Sequence, residues 1–170
     1  TEKVRAAAGA RLRRPSPRPA PLRAAALLHP RATYDIVVVG ISTGGPQALR
    51  ALIPRFAADF PVPIAMVLHM PGGYTEMDAN PLNEISHLEV CEASDGSVLR
   101  PGAVWLAPAG QHLTFVRGFD GKVRAHLDLR PEGTQHRPSV DVLVQSAADV
   151  FGSRVLGVVM SGTPYDRLLA

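Results

Sequence analysis

Short β-branched apolar runs alternate along the chain with stretches whose apolar residues recur every three or four positions. Asp35-Ile36-Val37-Val38-Val39-Gly40 is a near-continuous apolar run closed by glycine, the pattern of a parallel strand buried on both faces. After a turn over 41–45, Pro46 to Ile53 places Leu49, Leu52 and Ile53 along one stripe. Pro46 stands at the first helical position, so an amphipathic helix is expected. Pro63 to Leu68 predicts a second buried strand. Tyr74 to Ile85 predicts a helix that Pro81 should break or bend. Leu88–Ala93 and Ala103–Pro108 predict two further short strands. Leu113–Val116 and Lys122–Leu129, joined by Gly118-Phe119-Asp120-Gly121, predict a β-hairpin. Ser139 to Phe151 predicts a helix with Val140, Leu143, Val144 and Ala147 on its inner side and Gly152 at its stop. Arg154 to Met160 predicts a last strand. Strands alternating with helices imply an α/β fold: a doubly wound, mostly parallel sheet with helices on both faces and an inserted antiparallel β-hairpin.

Composition changes this picture mainly at the N-terminus. The segment 1–33 carries eight Lys or Arg and one acid, a local charge of +7, and the rest of the chain carries −4. The basic pI of about 9.5 therefore belongs to a tail, whereas a nucleic-acid-binding domain shows its charge on the fold itself. With Pro15, Pro17, Pro19 and Pro21 at alternate positions, 1–33 is expected to be an extended, disordered linker. The folded body is expected over 34–170. That body stops directly after a strand and its turn, which suggests truncation at the C-terminus. No apolar run approaches the ~18 residues that cross a bilayer, so no membrane insertion is expected. The single Cys91 closes no internal disulfide and reads as a small hydrophobe in a strand. The cytoplasm is the default compartment.

In open α/β sheets reactive groups gather beyond the carboxyl ends of strands, and three such ends carry candidates. Ser42 lies in Gly40-Ile41-Ser42-Thr43-Gly44, a G-x-S-x-G sequence between a strand and a helix, the context of a nucleophile elbow. The same pattern also suits a plain strand–helix turn whose Ser or Thr caps the helix. His69 ends the second strand, where an imidazole can activate a hydroxyl. Asp166 follows the last strand and can orient that imidazole. The order Ser, His, Asp departs from the usual α/β-hydrolase order of Ser, Asp, His. Keeping the latter order would require His112 or His136 as base. His136 precedes a helix, and Ser139 and Asp141 most simply serve that helix start. No histidine has ligand spacing with carboxylates or thiols, so no metal and no cofactor is expected. The glycines also lack dinucleotide-binding spacing.

Four blocks in order carry a family resemblance: Gly40-Ile41-Ser42-Thr43-Gly44-Gly45-Pro46, His69-Met70-Pro71-Gly72-Gly73-Tyr74-Thr75, Ala107-Pro108-Ala109-Gly110-Gln111-His112, and His136-Arg137-Pro138-Ser139-Val140-Asp141-Val142-Leu143. Together they resemble the catalytic domain of the chemotaxis protein-glutamate methylesterase family, also a protein-glutamine deamidase. The resemblance implies hydrolysis of glutamate methyl esters on methyl-accepting chemotaxis receptors. It implies Ser42 as nucleophile, His69 as general base and Asp166 as its orienting acid, with Thr43 and the Thr163 backbone near the oxyanion. It also implies a phosphorylatable receiver domain ahead of the linker. The family's last loop is glycine-rich, whereas here it reads Ser161-Gly162-Thr163-Pro164-Tyr165-Asp166-Arg167. That departure and the short C-terminus keep in view a domain of this family that binds a receptor or signalling partner without turnover; the competing enzyme is a different serine esterase using the same elbow.

Overall fold

A computed structural model of the chain describes residues 34–41, 45–68 and 74–161. The expected linker over 1–33 and the last loop, 162–170, lie outside the described residues. Ten elements follow in order: β1 (Ile36–Ile41), α1 (Gly45–Leu52), β2 (Ile64–Leu68), α2 (Tyr74–Glu84), β3 (Glu89–Glu92), β4 (Ala103–Leu106), β5 (His112–Arg117), β6 (Val123–Asp128), α3 (Val140–Phe151) and β7 (Val155–Ser161). One 3₁₀ turn, Ile53–Arg55, extends α1 and another, Gly152–Arg154, leads into β7.

Five strands form one parallel sheet in the order β3-β4-β2-β1-β7. Every residue of β1 is buried, because β2 and β7 pair along its edges and helices cover its faces. Alternate side chains of the sheet enter two separate cores, as the period of two requires. Val37, Val39, Ile41, Ile64, Met66 and Leu68 pack with Leu49 and Ile53 after α1 and with Ala79 and Leu82 of α2. Ile36, Val38, Ala65, Val67 and Trp105 pack with Val140, Leu143 and Ala147 of α3 and with Leu113, Phe115, Val123 and Ala125 of the hairpin. The doubly wound arrangement with helices on both faces is thus present. The hairpin β5–β6 forms its own two-stranded antiparallel sheet on the α3 side.

The hairpin turns at Gly121, whose φ of 75° suits glycine. It is stitched to α3 at several points. The Phe115 N–H donates to Ser146 Oγ at 2.8 Å, and Arg117 Nη2 donates to the Val150 carbonyl at 2.9 Å while its guanidinium lies over the Phe151 ring. Pro81 does not produce the break that was one of its two expected effects. It sits inside α2, which continues to Glu84, so the proline does not end the helix. The side chains of Leu82 and Ala79 are buried on either side of it, and this packing outweighs one missing backbone hydrogen bond. Cys91 is half-buried on β3, and burial raises its thiol pKa. On β7, Leu156, Val158, Val159 and Met160 are 37–44% exposed.

Gly40 is required by close approach rather than by an unusual φ. A Cβ placed there would stand 2.5 and 2.8 Å from the two methyl groups of Val140, the first residue of α3. The missing side chain lets the N-terminal end of α3 press directly on the C-terminal end of β1. Gly40→Ala is therefore expected to destabilise the fold by about 1–3 kcal/mol through overpacking. The double variant Gly40→Ala/Val140→Ala is expected to recover most of that loss, as read by urea denaturation. Equal stability of the single variant and the parent protein would show that the helix gives way without cost.

Candidate functional site

Because β1, β2, β4 and β7 are parallel, their C-terminal ends share one edge of the sheet. At that edge Ile41 pairs with Leu68 on one side and with Ser161 on the other. Chain positions 42 and 69 are the next residues after Ile41 and Leu68, so two sequence-predicted site residues follow paired strand ends in the chain. Ser42, Thr43, His69, Thr163 and Asp166 themselves lie outside the described residues. What the structure describes is the set of paired strand ends, Ile41, Leu68 and Ser161, that precede them in the chain.

The α3 N-terminus reaches the same edge, because α3 runs antiparallel to the strands and its first residue covers Gly40. Ser139 caps this helix. Its backbone is extended and its Oγ accepts from the Val142 N–H at 3.5 Å, satisfying one of the donors that a helix start leaves unpaired. Asp141 lies in the first turn, where a carboxylate suits the positive end of the helix dipole. Both residues thus do what their position before the apolar run suggested. His136 falls in the loop that precedes the cap, and the carbonyl of its neighbour Arg137 accepts from Gly110 N–H at 3.1 Å.

His112 has a role that its sequence position did not announce. It is fully buried at 0% exposure, and both ring nitrogens are occupied. Nδ1 accepts from the Ser139 backbone N–H at 3.2 Å. The neutral ring therefore carries its proton on Nε2, which donates to the Pro131 carbonyl at 3.3 Å with Thr134 Oγ1 at 3.2 Å. One imidazole thus ties the start of β5 to the loop between β6 and α3 at residues 131, 134 and 139. A base must reach a reacting proton, and this ring has neither an open nitrogen nor solvent access. His112 is accordingly excluded as the alternative base. The signal that might have marked it is the histidine's place immediately ahead of an apolar strand, after the turn formed by Pro108, Ala109 and Gly110.

The other described histidines lie elsewhere. His126 is on the hairpin, its Nδ1 2.9 Å from Asp95 Oδ1, and His87 is exposed ahead of β3. Among the described residues, no cluster of three or more His, Cys, Asp or Glu is arranged to hold a metal ion. None of the described helices is long and apolar enough to cross a membrane.

Comparison with known proteins adds to this geometry. The family described as CheB methylesterase matches residues 37–168. The chain is 52% identical over 162 residues to protein-glutamate methylesterase/protein-glutamine glutaminase 5 of Myxococcus xanthus, a match covering 94% of this chain and 46% of that protein. It is 43% identical over 168 residues to protein-glutamate methylesterase/protein-glutamine glutaminase 2 of Caulobacter vibrioides, covering 97% of this chain and 48% of that protein. The crystal structure of the Thermotoga maritima CheB methylesterase catalytic domain superposes with a TM-score of 0.72 at 40% identity, over 76% of this chain and 68% of that one. The chain spans less than half the length of these two curated relatives.

Burial lowers the His112 pKa most, and the nearby Arg137 charge lowers it further, whereas the Pro131 hydrogen bond and Asp128 act the other way. Protonation would place an N–H on Nδ1 facing the Ser139 N–H. The folded pKa lies below the unfolded value of about 6.5, so the unfolded chain binds the extra proton first as pH falls. Stability contributed by neutral His112 is thus present above about pH 6.5 and is lost as pH falls from there through the lowered folded pKa. The melting temperature is expected to drop more steeply between pH 7 and about pH 5 in the parent protein than in His112→Asn. Parallel pH profiles would show that His112 is not the group responsible.

Proposed function

The chain belongs to the CheB methylesterase family, and from that premise we propose that it is a protein-glutamate methylesterase and glutamine deamidase acting on methylated chemoreceptors. The observation that carries this reading is the pairing of Ile41 with both Leu68 and Ser161. These three adjacent strand ends are the ones that Ser42, His69 and the segment 162–170 follow in the chain, which supports a shared site for them.

In this reading the Ser42 hydroxyl attacks the ester carbonyl of a methylated glutamate side chain while His69 takes its proton. His69 then returns that proton to the departing methoxide, releasing methanol and leaving an acyl-enzyme. Water, activated by the same imidazole, attacks the acyl carbon and frees the glutamate carboxylate. Deamidation follows the same course, with ammonia leaving from a glutamine. Asp166 holds His69 in the tautomer that presents its free nitrogen to Ser42. Thr43 and the Thr163 backbone N–H stabilise the oxyanion, assisted by the N-terminal end of α1, which begins at Gly45. The chemistry needs no metal or cofactor. The substrate is a receptor's cytoplasmic helix, which places the protein in the cytoplasm. Residues 1–33 act as the linker between a receiver domain and the catalytic body, 34–170.

A second reading rests on the last loop, where Pro164 and Arg167 stand in place of family glycines and narrow the conformations open to the backbone around Asp166. A loop that no longer reaches the site would leave a domain that binds receptors without turnover. A third reading is a serine esterase for small substrates.

Methanol release from methylated receptor cytoplasmic fragments separates these readings. Ser42→Ala is expected to reduce release by a factor of at least about 10³ while leaving the melting temperature unchanged. Retained release in that variant would remove Ser42 as nucleophile. Asp166→Asn is expected to lower kcat on the order of 10³–10⁴-fold, as loss of the fixed tautomer does in serine proteases. An unchanged kcat would show that the loop does not serve the site. Binding of the fragments without methanol release by the parent protein would favour the second reading, and hydrolysis of p-nitrophenyl acetate alone the third.

A further inference from the structure

We infer that His112 is a positioning residue for the C-terminal end of β1, which the proposed nucleophile Ser42 follows in the chain, acting through the hydrogen bond from the Ser139 N–H to its Nδ1. The inference rests on the serine-hydrolase reading and adds a residue to it. Four contacts form the chain of influence. His112 is fixed at the head of β5, and its ring cannot shift without losing partners on both sides. Nδ1 sets where the Ser139 backbone stands, and Ser139 is the cap from which α3 begins. The next residue, Val140, lies directly over Gly40 with no intervening side chain. Gly40 and Ile41 are the last two residues of β1, and Ser42 is the next residue in the chain.

The loop from 129 to 139 has no regular secondary structure, so its α3 end depends on specific side-chain partners rather than on a strand ladder. His112 supplies them from a single buried ring. Its described partners, Ser139, Pro131 and Thr134, include no member of the proposed triad. Its effect is to hold the helix end that presses on the exit of β1. Displacements on the order of 1 Å in a catalytic group can cost a factor of about 10² in rate, so a residue of this kind affects kcat without contacting the substrate.

Three substitutions separate positioning from packing. His112→Asn places an amide oxygen where Nδ1 stands, keeping the acceptor for Ser139 and dropping the Nε2 arm. His112→Gln extends toward Pro131 and Thr134 but leaves the Ser139 N–H without its acceptor. His112→Phe keeps the ring volume and removes both. Steady-state methanol release from methylated receptor fragments, measured well below each variant's melting temperature, gives kcat and KM. The Asn variant is expected to keep kcat within about threefold of the parent. The Gln and Phe variants are expected to lose about 10- to 100-fold in kcat with KM changed less than about threefold. A kcat that falls in step with melting temperature across all three would overturn the assignment, because a purely structural residue behaves that way.

A second readout does not depend on turnover. The backbone amide resonances of Gly40 and Ile41 are expected to shift in the Gln and Phe variants and to stay in place in the Asn variant. If these resonances are unmoved in all three, the positioning role is wrong whatever the hydrolysis assay gives. If they move as expected but the parent protein releases no methanol in a Ser42-dependent way, the hydrolase reading fails and the mechanical coupling stands.

Discussion

The fold depends on complete enclosure of β1. Parallel strands need both edges paired and both faces covered, because neither backbone groups nor apolar side chains can be left to water at the centre of a sheet. β1 meets that demand with β2 and β7 on its edges, α1 on one face and α3 on the other. The run Ile36 to Ile41 is apolar throughout for this reason. Its one residue without a side chain, Gly40, stands where α3 comes closest. Enclosure also fixes the C-terminal end of β1, the last described position before Ser42 in the chain.

The same edge of the sheet concentrates the polar structure of the described residues. The Ser139 cap, the Gly110 to Arg137 backbone bond and the His112 ring all lie where irregular segments meet the strand ends. Side chains take over the work of backbone ladders there, at the cost of burying polar atoms that must all find partners. Two ion pairs lie away from this edge. The Asp120–Arg124 pair on the hairpin and the Arg100–Glu89 pair beside β3 are exposed and contribute little to stability.

Much of the fold was legible in the residues themselves. Val37–Val39 and Pro63–Leu68 announce buried strands by composition. The 3.6-residue spacing of Val140, Leu143 and Ala147 announces α3, and the Ser139 and Gly152 boundaries proved to be its caps. Pro81 does not break α2, because the burial of Ala79 and Leu82 holds the helix together across it, which the local effect of a proline on the backbone does not reveal. The separateness of the hairpin sheet was not legible either, since β-strand pattern says which residues pair locally and not which sheet they join.

The sequence by itself determined the alternation of elements, which follows from local side-chain spacing, and it carries the four motif blocks by which the chain resembles its family. Only the tertiary structure decided the strand order, with β7 rather than β3 beside β1, and so which strand ends are neighbours. It also decided the standing of His112. In the chain His112 is 27 residues from Ser139, and a histidine alone carries no mark of base, ligand or pin. Burial and the partners of its two nitrogens make it the last of these, and both are long-range properties that no local pattern encodes.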